Sequence, residues 1–283
     1  MASFFNQATL SYNGNLINSN VTTGEIVETL SATKTAVTST YGAGDTVTYV
    51  VNIVNSGAIP FTGLTVTDDL GAYPLGAGTV TPLTYRTDSI RYFVNGALQA
   101  APTVTDESPL TITGISVPAD SNVSLIYEAE VNGFAPLAAN AEITNTVTIN
   151  GGSLNTPVTA EETINVEESP NLSVFKTLSP LSVTENGTVT YTITIQNTGN
   201  TAAAASPSLY ITDTFNPPLS NISVTLNGAP LSVPSYTYNE ATGVFTTAAN
   251  VISIPAATYT QNPTTGAWTV TPGTAVITVT GTI

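Results

Sequence analysis

The chain contains only two lysines, Lys34 and Lys176, and each falls on the apolar parity of an alternating stretch. Leu30, Ala32, Lys34 and Ala36 form one such set; Leu172, Val174, Lys176 and Leu178 form the other. Two aspartates are placed the same way, Asp68 after Leu64 and Val66, and Asp213 after Leu209 and Ile211. Two asparagines follow suit: Asn145 stands between Ile143 and Val147, and Asn6 between Phe4 and Ala8. Strict alternation reads as a half-buried β-strand, so each set aims one lysine, one aspartate and one asparagine at a core. A lone buried charge is too costly to persist without a partner or a reaction that removes it.

Spontaneous Lys–Asn isopeptide formation is such a reaction. Desolvation lowers a lysine pKa and raises a carboxyl pKa, so both groups can be neutral at physiological pH. The amine attacks the asparagine carbonyl, the protonated aspartate relays protons, and ammonia leaves, with fixed proximity replacing an external catalyst. The expected pairs are Lys34 with Asn145 inside one domain, relayed by Asp68, and Lys176 with Asn6 of another copy, relayed by Asp213. Two plainer readings stand beside this one: a buried Lys–Asp salt bridge with the asparagine hydrogen-bonded nearby, and edge lysines that face solvent.

The elements that must position these residues are strands. Thr, Val, Ile, Asn, Gly and Pro dominate the 283 residues, strands of five to eight residues recur between turn clusters, and no stretch shows a 3.6-residue apolar period. The expected fold class is all-β, as tandem immunoglobulin-like sandwiches. The absence of cysteine and histidine excludes disulfides, thiolate nucleophiles, Ser-His-Asp chemistry and Cys/His zinc sites. A formal charge of −15, from 19 acidic and 4 basic residues, argues against binding a phosphate backbone. That charge reads as solubility and mutual repulsion. Calcium at Glu161, Glu162, Glu167 and Glu168 is the sharper alternative, without calcium-loop spacing to support it. No cofactor or metal is expected. No apolar run approaches a membrane span, and no signal peptide is visible.

Much of the sequence occurs twice. Thr46 to Asn55 with Ser56-Gly57 returns as Thr188 to Asn197 with Thr198-Gly199; the turn Asn95-Gly96 returns as Asn227-Gly228; Ile115 to Ala119 returns as Ile252 to Ala256. The second copy adds a segment from Ala257 to Pro272, expected to be an extra hairpin carrying Tyr259 and Trp268. Residues 31–168 then make a complete first sandwich, and residues 169–283 make a second that lacks its closing strands. The missing strands resemble residues 1–30, a donor hairpin and connector. There Asn13 to Thr22 aligns without a gap on Asn150 to Thr159, and Phe4, Asn6, Ala8, Leu10 and Tyr12 supply the donor strand. Asn6 lies eight residues before Gly14 and Asn145 six before Gly151, an even difference that keeps the strand face. An open sandwich exposes an edge and an apolar cleft, while a lone hairpin is unstable. Donation of each hairpin to the second sandwich of another copy satisfies both and propagates head to tail. Folding back onto the same chain is the competing arrangement.

The order Lys34, Asp45 to Tyr49, Asn55-Ser56-Gly57, Val66-Thr67-Asp68, Asn145 to Thr148 resembles the conserved-repeat domain of bacterial surface proteins, domain of unknown function eleven. Lys176, Thr188 to Tyr191, Asn197-Thr198-Gly199 and Ile211-Thr212-Asp213 repeat it. The resemblance implies an immunoglobulin-like sandwich in large Gram-positive surface proteins, and the Lys/Asp/Asn set is similar to that of isopeptide-forming pilin and adhesin sandwiches. The expected function is a structural subunit of an extracellular, cell-surface or spore-surface filament, a homopolymer rather than a turnover enzyme. The alternative is a monomeric surface adhesin or binding module, with Tyr259 and Trp268 as an aromatic platform for sugar or protein.

Overall fold

The chain is described by a computed structural model over residues 2–26 and 29–283. Met1 and the Val27-Glu28 step of the expected connector lie outside the described residues. The described elements are all strands, arranged as two immunoglobulin-like sandwiches preceded by a hairpin. No helix is long and apolar enough to cross a membrane.

Alternation builds the sheets. In Thr46–Asn55, Val47, Tyr49, Val51 and Ile53 are buried while the residues between them face outward or are half-covered. This strand lies between Ser121–Val131 and the edge strand Leu30–Ala36 in the first sandwich's lysine sheet, which runs Ala97–Gln99, Arg91–Val94, Ser121–Val131, Thr46–Asn55, Leu30–Ala36. The second sandwich repeats that order as Ala229–Leu231, Ser220–Leu226, Gly273–Thr282, Thr188–Asn197, Leu172–Ser179. Asn95-Gly96 and Asn227-Gly228 close the equivalent hairpins, with positive φ at all four residues, as a two-residue turn between twisted strands requires.

The facing sheets differ. In the first sandwich the order is Thr103–Glu107, Leu110–Val117, Phe61–Asp68, Glu142–Gly151, Val158–Val166, Thr40–Tyr41. In the second it is Thr212–Thr214, Val244–Thr247, Tyr236–Asn239. The aspartate strand Phe61–Asp68 is thus internal, paired on both sides, whereas its counterpart Thr212–Thr214 is an edge. Each sandwich has its own core, centred on Tyr49, Leu64, Leu125 and Val147 in the first and on Ile193, Phe215, Phe245 and Ile277 in the second.

The N-terminal hairpin pairs Ala2–Asn6 with Thr22–Ile26 and Thr9–Tyr12 with Asn15–Asn18. The alternation predicts one unbroken strand from Phe4 to Tyr12, but it is interrupted at Gln7-Ala8. From Asn6↔Thr22 to Thr9↔Asn18 the first strand advances three residues and the return strand four, which is a β-bulge. Ser19 stabilises it: its amide donates to the Ala8 carbonyl at 2.8 Å and its hydroxyl accepts from the Ala8 amide at 2.9 Å. The gapless alignment onto Asn150 to Thr159 also fails at the turn. Asn13-Gly14 is a tight two-residue turn, whereas strand pairing in the first sandwich stops at Ile149↔Val158 and leaves a longer loop.

The extra hairpin forms as expected, from Thr258–Gln261 and Trp268–Thr271. It is not a free platform. The Trp268 indole donates to the Phe134 carbonyl at 3.2 Å, and Gln261 Nε2 donates to the Tyr73 hydroxyl at 2.6 Å. Gly266, at φ +77°, lies where a Cβ would meet Val80 and Leu75 of the first sandwich at 2.6 and 2.9 Å. The hairpin is a strap between the two sandwiches.

Candidate functional site: a buried lysine–aspartate–asparagine cluster and its open counterpart

Lys34 is held in register with Val51 and projects between the two sheets of the first sandwich. Asp68 ends its strand on the facing sheet, and Asn145 lies on the strand alongside, where Val147 is opposite Asp68. All three residues are buried. Lys34 Nζ contacts Asp68 Oδ2 at 2.5 Å and sits 4.8 Å from the Tyr49 ring centroid. Asp68 Oδ1 accepts the Leu70 amide at 2.9 Å, and the Tyr127 hydroxyl donates to Asp68 Oδ2.

The turn after Asp68 shapes the asparagine end. Leu70 and Gly71 both have positive φ, +54° and +72°, and a buried leucine in that region carries backbone strain of the kind found at functional sites. The turn aims the Gly71 amide at Asn145 Oδ1, at 3.2 Å, shared with Asp69 Oδ1 at 2.9 Å. The other half of the amide, Asn145 Nδ2, is buried with no hydrogen-bond partner among the described residues. Leaving such a donor unsatisfied costs about 1–3 kcal/mol.

At the amine, burial works against the neighbouring carboxylates. Burial pushes the Lys34 pKa below its ordinary value, opposed by the charge and hydrogen bond of Asp68 and by the charges of Asp69 and Glu162. Burial raises Tyr49 and Tyr127 above the ordinary tyrosine range; the nearby Asp68 charge adds to this and Asn145 partly offsets it.

In the second sandwich the same pair is open. Lys176 Nζ lies 2.5 Å from Asp213 Oδ2, but the side chains are 39% and 16% exposed, against 0% and 1% for Lys34 and Asp68. Besides this ammonium, nothing among the described residues hydrogen-bonds to Asp213 Oδ2. Tyr191 and Phe215 flank the ammonium at 4.6 and 5.3 Å. The alternation predicts Lys176 inward and buried with Leu172 and Val174; all three are exposed. In the first sandwich the Val158–Val166 strand packs against the lysine strand. No described strand takes that position in the second.

Asn6 stays in the exposed N-terminal hairpin, whose strands pair only with one another, so within one chain it is not brought to Lys176. Phe4, Leu10 and Tyr12 of that hairpin are 58%, 61% and 69% exposed; Ala8 sits at the bulge.

Three participants escape the sequence pattern. Tyr127 shares the inward parity of Val123, Leu125 and Ala129, which marks a core position but says nothing about its hydroxyl. Glu162 lies opposite Asn145 and on the parity of the buried Ile164 and Val166, a signal legible once the register is known. The Gly71 amide is a backbone group, invisible to side-chain patterns. Among the described residues no acidic cluster is placed to hold a metal ion.

No protein-family model and no curated protein sequence matches the chain. Among solved structures, BcpA, the major pilin subunit of Bacillus cereus, is similar at 13% identity and a TM-score of 0.37, over 96% of this chain and 73% of that one. The pilus backbone RrgB of Streptococcus pneumoniae is similar at 13% identity and a TM-score of 0.36; the match covers 86% of this chain and only 55% of RrgB. A collagen-binding domain from a Staphylococcus aureus adhesin is similar at 14% identity and a TM-score of 0.31, over 51% of this chain and all of that domain. These likenesses carry no functional argument, which rests on the geometry of this chain.

Proposed function

We propose that this protein is the subunit of a homopolymeric surface fibre in which the N-terminal hairpin of one copy fills the open side of the second sandwich of the next. The observation that carries this reading is the unpaired Thr212–Thr214 edge beside the exposed Leu172, Val174 and Lys176, in a chain that also presents a hairpin with an exposed apolar strand. The donor takes the place that Glu142–Gly151 and Val158–Val166 hold in the first sandwich. Fully burying each large apolar side chain contributes about 1.5–3 kcal/mol, and pairing along the edge satisfies backbone groups that otherwise invite aggregation. A donor that fills the cleft of another copy makes a head-to-tail contact, which propagates into a filament when the rotation between copies does not close a ring.

Covalent locking accompanies assembly. In the first sandwich Lys34 Nζ attacks Asn145 Cγ after passing a proton to Asp68; the C–N bond to Nζ forms, the bond to Nδ2 breaks, and Nδ2 departs as ammonia with the relayed protons. That departure removes the unpartnered Nδ2. In the second sandwich Lys176 and Asp213 await Asn6 of the donor, and hairpin insertion supplies both the electrophile and the desolvation. The chemistry is a single autocatalytic event for each bond, not turnover. The Trp268 strap lends no support to the binding-platform alternative, because its polar edge is engaged by the first sandwich.

Sedimentation and negative-stain imaging of pure protein test the reading. Full-length chain forms filaments; chain lacking residues 1–23 remains a soluble two-domain particle, and a peptide of residues 1–23 caps growth of full-length fibres. Filaments of normal length from the deleted chain would overturn it.

A further inference from the structure

The two lysine–aspartate pairs differ in a residue that touches neither lysine nor asparagine covalently. Tyr127 is opposite Tyr49 in the first sandwich's lysine sheet; the equivalent register in the second sandwich puts Val279 opposite Tyr191. Both positions are fully buried. In the first sandwich the tyrosine hydroxyl donates to Asp68 Oδ2, the same oxygen that Lys34 Nζ contacts, while Oδ1 takes the Leu70 amide. Asp68 therefore receives three donors. Asp213 receives the Thr214 amide at Oδ1 and only the ammonium at Oδ2, and Val279 has no donor to offer.

We propose that Tyr127 is a positioning residue that occupies the Asp68 oxygen to which the Lys34 proton must pass and thereby slows the intramolecular bond, leaving the intermolecular bond of the second sandwich without that brake. The inference rests on the isopeptide reading above. Its logic follows the proton: before attack, an Nζ–H bond of Lys34 breaks and an O–H bond forms at Asp68 Oδ2. A donor already on that oxygen stabilises the charged form and opposes the transfer. The brake does not release on its own, because burial and the Asp68 charge keep the Tyr127 hydroxyl protonated. The tyrosine also stacks on Tyr49, with ring centroids 5.8 Å apart, which fixes the direction of its hydroxyl. The consequence is an order of events in which the link between subunits sets first once the donor is seated, and the link within the first sandwich follows.

The test is the rate of ammonia loss in the full-length chain. Protein made by cell-free synthesis is quenched in acid at intervals, and the Lys34–Asn145 linked fragment is followed by mass spectrometry for wild type and Tyr127→Phe. Removing the hydroxyl should speed formation of that fragment roughly tenfold, the loss of one hydrogen bond to a charged group. A tyrosine that only packs would give the opposite sign: loosening the cluster lowers the melting temperature and slows the reaction or leaves it alone. An equal or lower rate in Tyr127→Phe, with wild type still losing ammonia, overturns the brake and leaves the isopeptide reading standing. A fragment that never links in either protein overturns both.

Discussion

The two sandwiches share one lysine sheet and diverge in the sheet that faces it. Strand order, Asn-Gly turns and the lysine–aspartate contact repeat from the first to the second, even to the same 2.5 Å separation. Where Glu142–Gly151 and Val158–Val166 cover the first pair, it is dry; without their equivalent the second is wet. The comparison teaches that burial here depends on the covering strands more than on the lysine strand, since matched inward alternations give a buried Lys34 and an exposed Lys176.

The largest expected effect comes from removing a strand. Deleting residues 1–23 should abolish polymerisation while leaving both sandwiches folded, because the first has its own closing hairpin; sedimentation velocity checks this. Next in size is Asp68→Ala. It should leave the chain at the full mass calculated from its own sequence, where wild type falls one ammonia below its calculated mass, and, by stranding a buried ammonium, cost about 3–5 kcal/mol in denaturant unfolding. Asp213→Ala sharpens the contrast. A partly exposed pair is worth about 0–1 kcal/mol, so the unassembled subunit should unfold almost as wild type, yet its fibres should dissolve to monomer on boiling in detergent.

Smaller is the effect of Trp268→Ala. It removes the indole bond to Phe134 and should let the two sandwiches unfold in separate calorimetric transitions. The smallest expected effect is alkaline. Tyr41, Tyr49 and Tyr127, all in the first sandwich, are pushed up by burial. A raised folded-state pKa means stability is intact below the ordinary tyrosine value of about 10 and is lost as pH climbs past it, since only the unfolded chain ionises there. These three buried tyrosines compare with the partly exposed Tyr259 in the second sandwich, which burial also raises, so the first should lose more stability from pH 10 upward, measured domain by domain by hydrogen exchange.

The sequence makes legible whatever is local and periodic. Val47, Tyr49, Val51 and Ile53 announce a strand and its inner face; Asn95-Gly96 and Asn227-Gly228 announce turns; Lys34 and Asp68 stand out because charge on an apolar parity is costly. What depends on partners distant in the chain is not legible. The Ser19 bulge arises from one extra residue on a return strand, which alternation on the outgoing strand cannot register. Lys176 shares the parity of Lys34, but its exposure is decided by strands more than a hundred residues away in the first copy. The side to which the Tyr259/Trp268 hairpin turns is set by Tyr73 and Phe134, and no pattern within the hairpin points to them.

The most direct test mixes two populations of the subunit, one uniformly labelled with heavy nitrogen, before assembly. The fibres are digested, and peptides joining Asn6 to Lys176 are sought by tandem mass spectrometry. Linked peptides lighter by one ammonia, with a large share pairing a heavy partner with a light one, are expected. Unlinked Asn6 and Lys176 peptides from intact fibres would contradict the covalent junction, and linked peptides that never mix labels would place the hairpin in its own chain and contradict strand donation itself.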